Sequence, residues 1–226
     1  MKYLKYFTNE SDYQTFKESE DYVLPNVSFV VETNSIGYTP KKHVVFIQHI
    51  DGNLYTPAQW TGNSFSNDLA NGVAVVTDEV SFIIAKDLYS NVKWYPSSTV
   101  SGATITKTES QALLDVDGYG NTEKIAPKDT SNGMVSRCAN YTFPNGAKGY
   151  LPALGELKVM CDHIDDVCSA MDIIDGSPFT ATYMFSSTQY DAYNVWQIWY
   201  RDGSVTSAGK TNVNYVSFRP FTKINL

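Results

Sequence analysis

Three observations predict an α+β fold. Runs rich in Val, Ile, Phe, Tyr and Trp lie toward both ends of the 226-residue chain and read as strands. Between them a single apolar stripe, Leu154, Leu157, Met160, Cys161, Ile164, Val167, Cys168 and Met171, recurs at spacings of three and four and predicts one helix of about twenty residues. Charged residues make up only 18% of the chain against 14% aromatics, so the Glu/Lys-rich helices of a coiled coil are not expected.

Taken in order, Leu24-Pro25-Asn26 punctuates the chain before the strand-like Val27-Ser28-Phe29-Val30-Val31. A second strand follows over residues 43–49, closed by the turn pair Asp51-Gly52. Residues 1–64 read as a β-rich N-terminal extension or docking segment, and 65–226 as a ligand-binding domain. Residues 73–77 and 80–85 are almost continuously apolar, which predicts two strands buried on both faces. Residues 91–95 suggest a short strand, and 97–133 read as connection around one short helix at 109–114. Pro152 near the first position of the long helix and Gly176 beyond its end bracket that element. Residues 183–187, 195–201 and 215–218 return to strand character, with Asp202-Gly203 as a hairpin turn.

The net charge is −7 and no basic run exceeds Lys41-Lys42, which argues against a nucleic-acid partner. No stretch reaches the 18 or so apolar residues of a membrane span. The opening MKYLKYFTNESDYQ lacks an apolar secretory stretch, so synthesis in the cytoplasm without a signal peptide is expected. Cys138, Cys161 and Cys168 read as free thiols packed in a core. His43 and His49 share a strand face but stand about 20 Å apart, too far for one metal ion. The run Asp162-His163-Ile164-Asp165-Asp166 reads as the solvated face of the long helix. Asp115-Val116-Asp117-Gly118 begins like a calcium loop, but its glycine comes two places early and Ala126 stands where a glutamate is needed, so it reads as a Gly-rich turn. No set of acid, base and nucleophile announces itself; no enzyme, cofactor or metal site is expected.

The last 45 residues stand out. They hold ten of the 31 aromatics and sum to about +2 in charge, against −9 for the rest. Tyr, Trp, Asn, Ser and Arg make adaptable binding surfaces, because a rigid aromatic covers area at little entropic cost. The expected ligand-binding residues are Gln189, Tyr190, Asp191, Tyr193, Asn194, Gln197, Trp199 and Arg201, with Thr206, Ser207, Thr211, Asn212 and Asn214 at the rim. Strand alternation sorts Gln197, Trp199 and Arg201 to an outer face, and Trp196, Ile198 and Tyr200, together with Val216 and Phe218, toward the core.

Residues 149–157 (GYLPALGEL), 183–190 (YMFSSTQY), Asp202-Gly203 and 215–221 (YVSFRPF) resemble, in order and spacing, the pattern of a bacterial and phage C-type-lectin-like domain family. Tyr150 and Phe185 stand where that family usually has Trp, and Ser217-Phe218 precede the Arg-Pro pair. The resemblance covers about residues 65–221 and implies a C-type-lectin-like fold. It is nearest to the variable proteins of diversity-generating retroelements, in which adenine-directed mutagenesis rewrites Asn codons near the C-terminus. Randomised AAY codons reach Ser, Thr, Ala, Gly and Val but never Lys, and in residues 204–214 only Lys210 lies outside the reachable set. Residues 22–28 are similar to the opening of phage structural and tail proteins of gut Bacteroidetes. The resemblance implies a receptor-binding protein on a virion tail or cell surface that contacts a bacterial surface protein or glycan, with the N-terminal segment joining other virion or surface-structure proteins, and with homo-oligomers possible. An invariant structural or interaction protein is the alternative. The Glu-Pro-Asn, Gln-Pro-Asp and Trp-Asn-Asp calcium triplets of the sugar-binding lectins are absent, so binding is expected to be calcium-independent. A formylglycine-generating oxidase, of the same superfamily, would need reactive cysteines toward the C-terminus, and none lies beyond Cys168.

Overall fold

The structure is a computed structural model, and it describes residues 44–96, 98–179, 183–214 and 216–224. The expected strand at 27–31, the segment 22–28, His43 and Tyr215 lie outside the described residues.

Among the described residues two five-stranded sheets form the frame. The first has the order β10-β4-β3-β1-β2, built from β1 (Val45–His49), β2 (Leu54–Tyr55), β3 (Ala70–Val76), β4 (Ser81–Ile84) and β10 (Phe221–Lys223), all antiparallel. The second has the order β5-β9-β6-β7-β8, from β5 (Tyr89–Ser90), β6 (Tyr183–Gln189), β7 (Asn194–Trp199), β8 (Val205–Gly209) and β9 (Val216–Phe218), with β6 and β9 parallel. Among the described residues the α-helices are short: α1 (Pro57–Gly62), α2 (Glu109–Leu113), α3 (Gly118–Ile125), α4 (Met134–Asn140), α5 (Leu154–Asp162) and α6 (Ile164–Ile173).

This frame corrects the expected α+β C-type-lectin-like fold with a β-rich extension. The chain is organised by its two sheets, and the single long helix on which that expectation leaned does not form. The stripe breaks at His163, whose φ of −122° leaves the helical region, so α5 and α6 are separate helices. A one-residue break leaves the three-and-four spacing intact, which hides it from a periodicity count. Asp165 and Asp166 then fall in the first turn of α6, where carboxylates complement the free N–H groups. The boundary expected at 64/65 falls within one sheet, because β1 pairs with β3 from Val45↔Val75 to His49↔Ala70.

Alternation along the strands makes three clusters. Val45, Ile47, Val73, Val75, Phe82 and Ile84 point from the first sheet toward α5 and α6 and toward Met184, Trp196, Ile198 and Tyr200 of the second. Phe46, Ala74, Val76 and Ile83 cover the first sheet's other face with Phe143, so β3 and β4 are buried on both sides as their composition predicts. The second sheet is two-sided as well: Phe185, Val195, Val216 and Phe218 pack on Trp94, Met134, Val135 and Cys138. Val216 and Phe218 are therefore buried, but on the face opposite Trp196. The segment 97–133, expected to be mainly connection, contains α2 and α3. At Gly72 a Cβ would come within 2.3 Å of the Ile84 carbonyl oxygen, so the close approach of β3 and β4 requires glycine.

Candidate recognition surface

The β6–β7 turn is built around Asp191. Its Oδ1 accepts from the amides of Tyr193 and Asn194, each at 2.8 Å, and from Asn194 Nδ2 at 3.0 Å. The Tyr193 amide, with these other bonds, holds the Asp191 carboxyl below its ordinary pKa. With the turn so fixed, Tyr193 stands at its tip with 76% of its surface exposed. Tyr190 is half-buried, its ring 5.1 Å from that of Trp196, with Lys107 Nζ 5.7 Å from its centroid. The segment 104–107 lies alongside: the Gln189 amide donates to Thr104 O, the Thr106 amide donates to Gln189 O, and Trp196 Nε1 donates to Thr106 O at 2.8 Å.

Two of the expected ligand residues prove to be interior. Gln189 is fully buried; its Oε1 accepts from the Val100 amide at 3.0 Å and its Nε2 donates to Val100 O at 3.2 Å. Gln197 is 6% exposed, and its Oε1 has no partner among the described residues. Alternation placed Gln197 outside because it sorts faces without telling whether the second face is covered, and here it is. Trp199 is half-buried edge-on to Tyr183, 5.0 Å between centroids, and Arg201 is exposed, its Nε donating to the Tyr200 hydroxyl at 3.1 Å. Thr206, Thr211 and Asn214 are exposed, whereas Asn194, Ser207 and Asn212 are half-buried. The hairpin turn before β8 is made by Asp202 and Gly203, the latter at φ +70°, where glycine carries no Cβ penalty.

The residue that sequence reasoning missed is Lys210. Only 1% of it is exposed; Nζ donates to Ser98 O at 2.9 Å and to Gln189 Oε1 at 3.3 Å, and lies 4.5 Å from the Trp94 ring centroid. Its amide donates to Tyr193 O, and its carbonyl accepts from the Trp94 amide. Burial pushes the ammonium down to about 8. Lys210 thus ties the turn bearing Tyr193 to the 94–98 segment. The one available signal was its exclusion from the codons reachable from AAY.

Asp115 belongs to the interior too: Oδ2 accepts from Asn121 Nδ2 and Thr188 Oγ1, while Asp117 caps α3 through the Gly120 amide. These bonds use the carboxylates of the would-be calcium loop for the frame. Beside them Glu156, 3% exposed, accepts from the Tyr150 hydroxyl and from the amides of Ala153 and Gly118, and burial raises its carboxyl to about 7. Among the described residues no group of three or more His, Cys, Asp or Glu side chains could hold a metal ion. A groove of about 380 Å³ is lined by Cys168, Met171, Phe179, Tyr200 and Arg201, and a second, of about 490 Å³, lies on the other side of Arg201 beside Asp162 and Asp166. Among the described residues no helix is long and apolar enough to cross a membrane.

No protein-family model and no curated protein matches the chain. In structure it is similar to a fimbrial protein from Bacteroides ovatus ATCC 8483, with a TM-score of 0.57 and 15% sequence identity over 80% of this chain and 48% of that one. The chain spans about half the length of that protein. At such identity the likeness bears on the fold alone, and it joins the two-sheet frame in setting aside the lectin-like expectation.

Proposed function

We propose that the chain is a surface-displayed binding protein whose recognition surface is the β6–β7 turn with Tyr190 and Tyr193, the hairpin with Arg201, and the segment 204–214. It works by binding and not by catalysis. The observation that carries this reading is the burial pattern of residues 204–214, where every side chain is exposed or half-exposed except Lys210. The one residue outside the AAY-reachable set is the one buried anchor, as a surface rewritten at Asn codons around a fixed strut would require. The finer reading is therefore a receptor-binding protein, on a virion tail or cell surface, diversified by a retroelement toward a bacterial surface protein or glycan. The fimbrial character of the structural neighbour agrees with a place at a surface.

Sequencing the locus in related isolates tests this. Substitutions concentrated at exposed positions such as Tyr193, Thr206, Thr211 and Asn214, with Gln189, Gln197 and Lys210 constant, support it. An unvarying 189–214 segment removes diversification and leaves an invariant interaction protein.

A further inference from the structure

Among the described residues the two sheets leave four edges, and three of them are blunted: β2 and β5 have two residues each, and β10 has three, with Phe221 bridged to Tyr150. The fourth, β8, has five, with neither a proline nor a charged residue in Val205–Gly209. The ladder to β7 fixes which of its backbone groups are used. Lys210 N donates to Tyr193 O and Trp199 N donates to Ser204 O, so in the register of the β7–β8 ladder the bonded pairs are Val195↔Ala208 and Gln197↔Thr206. The N–H and C=O groups of Val205, Ser207 and Gly209 therefore point away from the sheet. Among the described residues the only bond to any of them runs from the Asn212 amide to Gly209 O.

We infer that β8 is an interaction edge for a second copy of this chain, pairing antiparallel with its own counterpart about a two-fold axis at Ser207 and joining the two second sheets into one. The register is self-complementary. Ser207 exchanges both bonds with Ser207 of the other copy, and Val205 pairs with Gly209, whose N–H is free to donate and whose oxygen, already accepting from the Asn212 amide, would take the Val205 N–H as a second donor. Thr206 falls opposite Ala208, and no bulky or charged side chain within the strand obstructs the approach. The paired strand holds no charged residue, so the pairing sets no like charges opposite each other although the chain carries −7 overall. An edge this short buries less than the ~1,000 Å² of a stable interface, so the dimer is weak and favoured by crowding on a surface. Tyr193 lies outside the paired strand, which leaves two turns displayed from one joined sheet.

Sedimentation velocity of the full chain from micromolar to millimolar concentration tests this, paired with amide exchange at Ser207. The expected result is a reversible dimer, with Ser207 exchange slowing as concentration rises while Thr206, bonded within the chain, is unaffected. Ser207→Pro removes an N–H that no ladder bond uses, so it should leave the melting temperature nearly unchanged and weaken dimerisation by at least about tenfold. Thr206→Pro, which breaks the internal ladder, should instead lower the melting temperature. A wild type that stays monomeric at millimolar concentration, a wild-type dimer whose Ser207 amide exchanges as fast as in the monomer, or a dimer that survives Ser207→Pro, would overturn the inference.

Discussion

Lys210 Nζ lies 4.5 Å from the centre of the Trp94 ring, a cation–π contact inside the protein made by the only buried residue of an otherwise accessible segment. Its other bonds go to Ser98 O and Gln189 Oε1, so among the described residues the ammonium is met by neutral acceptors and a ring face, with no carboxylate in direct contact. The nearest acidic influence is Asp191, which counters burial only in part.

Replacing Lys210 with Met keeps the stem and removes the donors, leaving Gln189 Oε1 with the Val100 amide alone. A loss of about 1 to 3 kcal/mol is expected, read by chemical denaturation. The pH dependence has a definite sign. Burial lowers the folded pKa to about 8 from 10.5, so between those values the unfolded chain binds more protons and stability rises with pH. The advantage of wild type over Lys210→Met should accordingly widen from pH 8 to pH 10; a difference independent of pH would contradict the burial of a titrating amine.

Glu156 gives the opposite slope in a different window. Its folded pKa is raised from 4.5 to about 7, so the folded state holds the proton longer and stability falls as pH rises between those values. Glu156→Gln can still accept from the amides of Ala153 and Gly118 while its NH₂ donates to the Tyr150 oxygen. Melting temperatures of the variant and wild type should agree near pH 4.5 and diverge by pH 8, with the variant the more stable.

The two tryptophans of β7 should separate. Trp196 is 5% exposed and donates to Thr106 O, so Trp196→Ala should cost about 3 to 5 kcal/mol. Trp199 is half-buried against Tyr183, and Trp199→Ala should lose about 1 kcal/mol through that ring contact. Equal losses in thermal melts would mean that β7 is bulged or shifted in register.

Gln197 buries an oxygen that has no partner among the described residues, and removing that oxygen should help. Gln197→Met, of similar volume, should raise stability by about 1 kcal/mol in urea titration. A loss instead would place a bound water or ligand on Oε1.

What was legible in the sequence follows from which physical signal each element carries. β1, β3 and β4 announce themselves because both of their faces are buried and their composition is apolar throughout. The Asp202-Gly203 hairpin was readable because it needs a positive φ at Gly203. The break at His163 was not, since a one-residue interruption preserves the helical stripe, and the return of β10 to β4 is a long-range pairing of three residues with no local signature. Within the candidate surface, the exposure of Tyr193 and Arg201 is legible because both stand in tight turns, where a large side chain has little to pack against. Gln189 and Lys210 were misjudged or missed because polarity alone does not reveal that a side chain's partners are buried with it.

A library that randomises residues 204–214 one position at a time, displayed and sorted for protease resistance, most directly tests the claim that an accessible surface is carried on an independent frame. Most substitutions should survive at Thr206, Ser207, Thr211, Asn212 and Asn214, with intolerance concentrated at Lys210. Folding that fails equally often at the exposed positions, or tolerates every residue at Lys210, would contradict it.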